Sequence, residues 1–421
     1  MAEKNKSEIT DADLQAAFVG NATEKKQGQK MPHNKTKDEK RDRIFKIVGG
    51  VSFVGGIGCL LVAFLAFGNN RESLDFPTIP SKANETTEYS ALTGEPLTDG
   101  KTKNAPTYCV QTPNGTDGAR PQAGLNEAGV VFEAIAEAGI TRFAAIYQDP
   151  SSAIIGPIRS LRTYYLEWDT PFDCTIVHAG GSSDALAAVA NGYSDLSEDY
   201  QYMYRGTYGS RLWNNLFTTS NYLKQYSADH DNNSSDVKGF ARLTPEESEQ
   251  ERADKTVTKK LVITEPTNEN TSEVSVPVGS IALRLGSWKD YNVIYKYNVE
   301  DNTYLRSYES GSAHEVYNCP ASDLGEKNPE DVCSLTQVVP SVVVAMVVQE
   351  SKASDNYHEN ITTIGSGDVY IFQNGAVTEG TWKKSSKDEQ IKFTDEEGNE
   401  IKLAPGQTFV TAVPNYGSVD F

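Results

Sequence analysis

The stretch Phe172–Gly192, FDCTIVHAGGSSDALAAVANG, decides the fold class. It starts as a short apolar strand, CTIVH, that runs into the turn Gly180-Gly181. Ser182 or Ser183 then caps a helix through DALAAVA, and Gly192 stops it. Strand, glycine turn and helix in succession are the unit of an α/β sheet. Just upstream, SLRTYYLEWDT (160–170) reads as a helix that ends before Pro171. Further upstream, Val130–Ala136 and Arg142–Gln148 are strand-like runs around the turn Glu137-Ala138-Gly139. The Ala and Glu content of the first run leaves an amphipathic helix open there.

Downstream the pattern changes. Residues 225–279 turn polar, with HDNNSSD and TEPTNENTSE, and read as connecting loops with an edge strand. From Ser280 the chain alternates in the manner of strands: SIALRL, YNVIYKYN, NTYLRSY, SVVVAMVVQ, DVYIFQ and GQTFVTAVP. Asn374-Gly375 and Glu397-Gly398-Asn399 mark hairpin turns. The expectation is an α/β N-terminal ectodomain over 105–235, a polar connection over 236–279 and a β-rich C-terminal domain over 280–421.

The first hundred residues are organised differently. Ile47 to Gly68 carries no charge over 22 residues. As a helix it would be about 33 Å long, against a hydrocarbon core of roughly 30 Å. Arg41, Arg43 and Lys46 precede it, and only Arg71 and Lys82 follow closely. The positive-inside rule then predicts one transmembrane helix over 47–68, with the N-terminus cytoplasmic. Residues 1–46 read as a disordered cytoplasmic tail and 69–104 as a linker rich in Thr, Ser, Pro and Glu. The small-x-small triplet Ala66-Phe67-Gly68 keeps a cleaved signal peptide as the rival reading.

Charge separates the two sides. Residues 1–46 hold eleven Lys/Arg against eight Asp/Glu, which leaves −22 of the net −19 chain to the remainder. So acidic an outer region lacks the basic footprint that nucleic acid requires. Of the five cysteines, Cys59 lies in the apolar span and four lie outside it, allowing three pairings. Cys319 and Cys333, flanking a loop-like stretch, are the first choice for a disulfide. No CxxC pair or His/Cys cluster suggests a metal site, and no Gly-rich loop calls for a cofactor.

Two groups of long motifs carry a family resemblance. ARPQAGLNEAGVVFEAIAEAGITRFAAIYQ, IIGPIRSLR and FDCTIVHAGGSSDAL resemble the N-terminal domain of the YerB-like family of bacterial proteins described as lipoproteins. YNVIYKYNVEDNTYLRSYESGSAHEV, GSGDVYIFQNGAVTEGTWKK and FTDEEGNEIKLAPGQTFVTAVP resemble its C-terminal domain. The resemblance spans about residues 90–415 in order. It implies a bacterial, extracytoplasmic, two-domain protein of a family without an established biochemical function. Two features depart from it. Cys59 sits mid-span in GGIGC and not in a lipobox, and the stretch after His314 looks like an insertion.

Candidate chemistry follows. Arg120, Arg142, Arg159 and Arg162 fall in the family's motifs, and guanidinium forks suit phosphate or carboxylate groups. Arg159 and Arg162 would share a face if GPIRSLR is helical; salt bridges to Glu133, Glu137, Glu167 or Asp173 are their plainer role. His178, at a strand's C-terminal end, is the best placed residue for proton transfer, with Glu133 or Asp184 as a carboxylate partner. Glu133 and Glu137 are four apart and face the same way in either a helix or a strand. Arg211, Trp213 and Asn214 make a palette suited to sugars, or to a core edge. Two functions remain open: a membrane-tethered binder of an anionic polymer or cell-wall glycan, or an envelope hydrolase or transferase using His178.

Overall fold

The computed structural model describes residues 87–98, 100–206, 214–253, 259–260, 279–319 and 325–421. The expected tail and transmembrane span, with the start of the linker, lie outside them. Among the described residues no helix is long and apolar enough to cross a membrane.

The chain is mixed α/β, with a large sheet and few helices. In order, β1 (Thr107–Pro113), β2 (Val130–Glu137) and β3 (Ile140–Gln148) lead into α1 (Thr163–Asp169), β4 (Thr175–His178), α2 (Ser183–Val189) and β5 (Asp195–Ser197). Two short strands, β6 (Tyr204–Arg205) and β7 (Leu216–Phe217), precede α3 (Ser220–Asp229), α4 (Pro245–Ala253) and β8 (Lys259–Lys260). There follow β9 (Ser280–Arg284), β10 (Val293–Asn298), β11 (Thr303–Tyr308), β12 (Glu315–Asn318), α5 (Pro329–Val332) and β13 (Ser334–Gln337). The chain closes with β14 (Val342–Val348), β15 (Glu350–Lys352), β16 (Glu359–Ile361), β17 (Gly365–Gln373), β18 (Ala376–Lys384), β19 (Lys392–Asp395), β20 (Thr408–Pro414) and β21 (Ser418–Asp420).

The main sheet runs β19-β18-β17-β14-β20-β2-β3-β1-β4-β5, with β8 paired on β18. Strand β20 pairs in parallel with both β14 and β2, so early and late segments share one sheet. Its central strands are apolar on both faces, as a covered sheet requires. Val130, Phe132 and Ala134 of β2 face one core with Trp168 and Tyr165 of α1, where Phe132 stacks on Trp168 at 5.3 Å. Val131 faces a second core beneath β7 and α3, and Ile135 a third beneath the small sheet β11-β10-β9-β21. Between these last two, the same parity aims Glu133 inward.

Three local expectations are corrected. Residues 154–162 are extended, not helical. Their amides bond outward, Ile155 to Thr218, Ile158 to Leu216, Arg159 to Gln111 and Leu161 to Gly180, and so cannot close helical turns. A helix, α4, stands in the polar connection. It is opened by a reciprocal capping box, in which Thr244 N donates to Glu247 Oε2 (2.8 Å) and Glu247 N to Thr244 Oγ1 (3.1 Å). Finally, a register shift between Ile135 and Glu137 interrupts the alternation of β2, so Glu133 and Glu137 meet different partners.

Asp169, the last residue of α1, is fully buried. Its Oδ2 accepts from Gln111 Nε2 at 3.0 Å, and Oδ1 has no partner among the described residues. Burial pushes its carboxyl well above the ordinary 3.8, and the Gln111 bond only partly offsets this. An acid shifted this way contributes stability that is present at low pH and lost as pH rises through the folded value. Asp169→Asn is therefore expected to gain stability on the wild type as pH climbs above that ordinary value. Urea midpoints across pH would measure it; parallel curves for the two proteins would count against the buried acid.

Candidate functional site

Three of the four arginines gather at the end of β2. Arg142, on β3, donates from Nη2 to Glu137 Oε1 at 2.7 Å and from Nη1 to the Ser160 carbonyl at 2.7 Å. Arg162, at the N-cap of α1, donates from Nη2 to Glu137 Oε2 at 3.1 Å and from Nη1 to the Leu161 carbonyl at 2.8 Å. Burial pushes the Glu137 carboxyl up, but the two guanidinium groups outweigh it and hold Glu137 below the usual range. One carboxylate thus serves two buried cations, and the Nε of each arginine is left without a partner.

Arg159 is held differently. Its Nε donates to Asn214 Oδ1 at 2.9 Å, and Asn214 Nδ2 donates to the Asp117 carbonyl at 3.3 Å. Among the described residues Arg159 forms no ion pair with a carboxylate, and its two terminal nitrogens bond to nothing. Burial lowers its guanidinium pKa, and the charges of Arg142 and Arg205 lower it further; Asp117 and Glu137 act the other way. Arg205 is itself paired with Glu198. The result is a half-buried fork beside other cations, the arrangement that an incoming anion relieves. Asn214 is buried and serves as the support of Arg159, whereas Arg211 and Trp213 lie outside the described residues.

Arg120 belongs elsewhere. Its guanidinium carbon lies 3.7 Å from the Tyr308 ring centre, and its Nε donates to Asn114 Oδ1 at 2.8 Å. Asn114 leads into a buried polar network centred on Glu133. Glu133 Oε2 accepts from Arg306 Nη2 at 2.7 Å, and both side chains are fully buried. Glu133 Oε1 accepts from Thr141 Oγ1 (3.0 Å) and Asn114 Nδ2 (3.3 Å). Arg306 also donates to Tyr295 Oη (3.1 Å) and to His314 Nδ1, whose ring donates from Nε2 to Gln122 Oε1 (3.0 Å). Burial, with Arg306 and Arg120 nearby, pushes the His314 imidazole well down, which keeps it a neutral acceptor for Arg306. Sequence reasoning passed over Arg306, although the signal is present. It lies between Tyr304 and Tyr308 at the inward parity of an alternating strand.

His178 ends β4 fully buried. Its Nε2 faces Asp195 Oδ1 at 2.8 Å, and its Nδ1 faces the Gly180 carbonyl at 2.7 Å. Its carboxylate neighbour comes from the adjacent parallel strand β5. Glu133 is engaged by Arg306, and Asp184, exposed in the first turn of α2, receives only Ser183 Oγ at 3.5 Å. Cys319 and Cys333 are bridged, with Cα atoms 4.6 Å apart, and a second disulfide joins Cys109 to Cys174.

Comparison with known proteins agrees with the motifs. Residues 92–234 match the family described as "Protein of unknown function (DUF3048) N-terminal domain", and 281–410 match its C-terminal domain. A Bacillus subtilis (strain 168) protein named "Putative lipoprotein YerB" is 26% identical over 330 residues, 77% of this chain and 86% of that protein. The crystal structure of the YerB protein from Bacillus subtilis superposes with a TM-score of 0.61 at 22% identity, covering 79% of this chain and 100% of that one. With both matched segments in order along one polypeptide, the chain belongs to the DUF3048 family, the YerB-like proteins.

Proposed function

We propose that the protein is a membrane-associated, extracytoplasmic component of a bacterial cell envelope that binds an anionic envelope ligand at Arg159. The relative's description as a lipoprotein supports the location, and the apolar span 47–68 supports a helix as the anchor, with the N-terminus cytoplasmic. One observation carries the ligand class. In a chain of net charge −19, Arg159 forms no ion pair with a described carboxylate, although Asp117, Glu137 and Glu198 lie within electrostatic reach, and Arg142 and Arg205 stand beside it. Arg142 and Arg162 share the single carboxylate of Glu137 and serve to shape the site.

Hydrolase or transferase chemistry at His178 is the second reading, favoured by its contact with Asp195. Both ring nitrogens are engaged and the ring is buried, so the binding role is preferred. Isothermal titration of the full-length protein with inorganic polyphosphate tests the proposal. Arg159→Ala is expected to weaken binding at least about tenfold, and binding should fall steeply with added salt. Arg159→Lys, which keeps the charge but loses the fork, should fall between the two. Equal affinity in wild type and Arg159→Ala would exclude this site.

A further inference from the structure

A cavity of about 240 Å³ lies between the β2–β3 turn, the 285–292 loop and the β15–β16 hairpin. It is smaller than the roughly 300–1,000 Å³ of sites for drug-sized ligands, so it suits a single ring. Its walls are unlike an ordinary surface. Trp288 is 61% exposed and Tyr416 60%, and both line it. Tyr357, 52% exposed, stands alongside, its carbonyl accepting from the amide of Ala138 in the cavity wall. Exposed aromatic rings gathered at one concavity and rimmed by polar groups are a mark of a ligand-binding groove.

These rings are held in place. Asn292 Oδ1 accepts from the amides of Leu285 (2.9 Å) and Gly286 (3.2 Å), and Nδ2 donates to the Gly286 carbonyl (2.9 Å) and Glu309 Oε2 (2.7 Å). The Trp288 carbonyl accepts from the amides of Tyr291 and Asn292 at 3.0 and 3.2 Å. The indole edge lies against Gly139, where φ is +81° and a Cβ would come within 3.1 Å of the ring. Tyr416 is steadied by its hydroxyl, which donates to Glu350 Oε1 at 2.7 Å. Glu350 is itself buried, and burial raises its carboxyl to about 7.

The polar groups facing the cavity are balanced. Lys352, half-exposed, faces the cavity with its charge offset by its partner Glu359, whose side chain is buried, so the wall offers a donor without net charge. This does not suit an anion, and a purely apolar partner would strand the pair. A pyranose ring matches both features: its axial C–H face packs on an indole, and its hydroxyls both donate and accept. We propose that this cavity is a sugar-binding subsite, stacking one neutral pyranose on Trp288 and engaging its hydroxyls with Lys352 and the Tyr416 hydroxyl. The subsite shares no residue with the arginine cluster, so the two stand or fall separately.

The test uses the full-length chain in a detergent without sugar headgroups, titrated with cellobiose, chitobiose and maltose. Tryptophan fluorescence and calorimetry are read together. The wild type is expected to bind at least one of the three saturably, with a Kd below about 10 mM. Trp288→Ala should weaken that binding at least about tenfold while Trp288→Tyr retains part of it. Both variants should unfold like the wild type and bind polyphosphate unchanged. No saturable binding by the wild type, or full affinity in Trp288→Ala, overturns the proposal. Loss of sugar binding with polyphosphate binding kept separates it from any failure at Arg159.

Discussion

Arg306→Met is expected to lower the unfolding free energy by about 3–5 kcal/mol, the range for removing one partner of a buried ion pair. Arg306 and Glu133 are both fully buried, one on β11 and one on β2. Without the guanidinium, the Glu133 carboxylate keeps only Thr141, Asn114 and a long contact to Thr411 at 3.5 Å. Tyr295 Oη and His314 Nδ1 would lose their donor in the same step. Most of the loss comes from stranding a charge, so removing the second charge should recover part of it. The double variant Glu133→Gln/Arg306→Met should therefore be more stable than Arg306→Met alone. Urea denaturation of the three proteins measures the cycle. A single variant as stable as the wild type, or no recovery in the double, would contradict the account.

The second large effect concerns the disulfides. Cys109 on β1 and Cys174, just before β4, are 65 residues apart in sequence; Cys319 and Cys333 are 14 apart. On loop closure alone, the longer bridge contributes about 4 kcal/mol and the shorter about 3 kcal/mol. Strands β1 and β4 are parallel neighbours, so the long bridge fastens an arrangement that no tight turn can enforce. Cys109→Ala/Cys174→Ala is expected to be the more destabilised pair, by about 1 kcal/mol over Cys319→Ala/Cys333→Ala. Denaturant midpoints of the two double variants give the order, and the reverse order would reject loop length as the deciding factor.

Much of the fold was legible because its strands are covered on both faces. Runs such as VVVAMVV in β14 and TFVTAVP in β20 have no reading other than buried strand once flanking turns are placed. The Asn374-Gly375 turn between β17 and β18 follows from local backbone chemistry, and α2 starts after Ser182 as expected, although that side chain makes no capping hydrogen bond. Partnership was not legible. That Glu133 lies opposite Thr411, and that His178 meets Asp195, depends on which strands become neighbours, and apolar periodicity carries no such label. The arginine cluster was half legible. Residue type pointed to anions at Arg142, Arg159 and Arg162, but Glu137 claims two of them, and the displacement of Arg120 to Tyr308 needed tertiary contacts. The aromatic cavity escaped notice because Gly139, Trp288 and Tyr416 are far apart in sequence and meet only through the small sheet and hairpin.

The insertion of β20 between β14 and β2 has a consequence for how such proteins evolve. A lineage that lost the late half would leave β2 as a bare edge of what remained of its principal sheet, a template for sticking to other chains. Exchange of one half between paralogues would demand rematching across that seam, at Val131 against Phe409 and Glu133 against Thr411. The two halves are therefore bound to be inherited together, despite being recognisable as separate stretches of sequence.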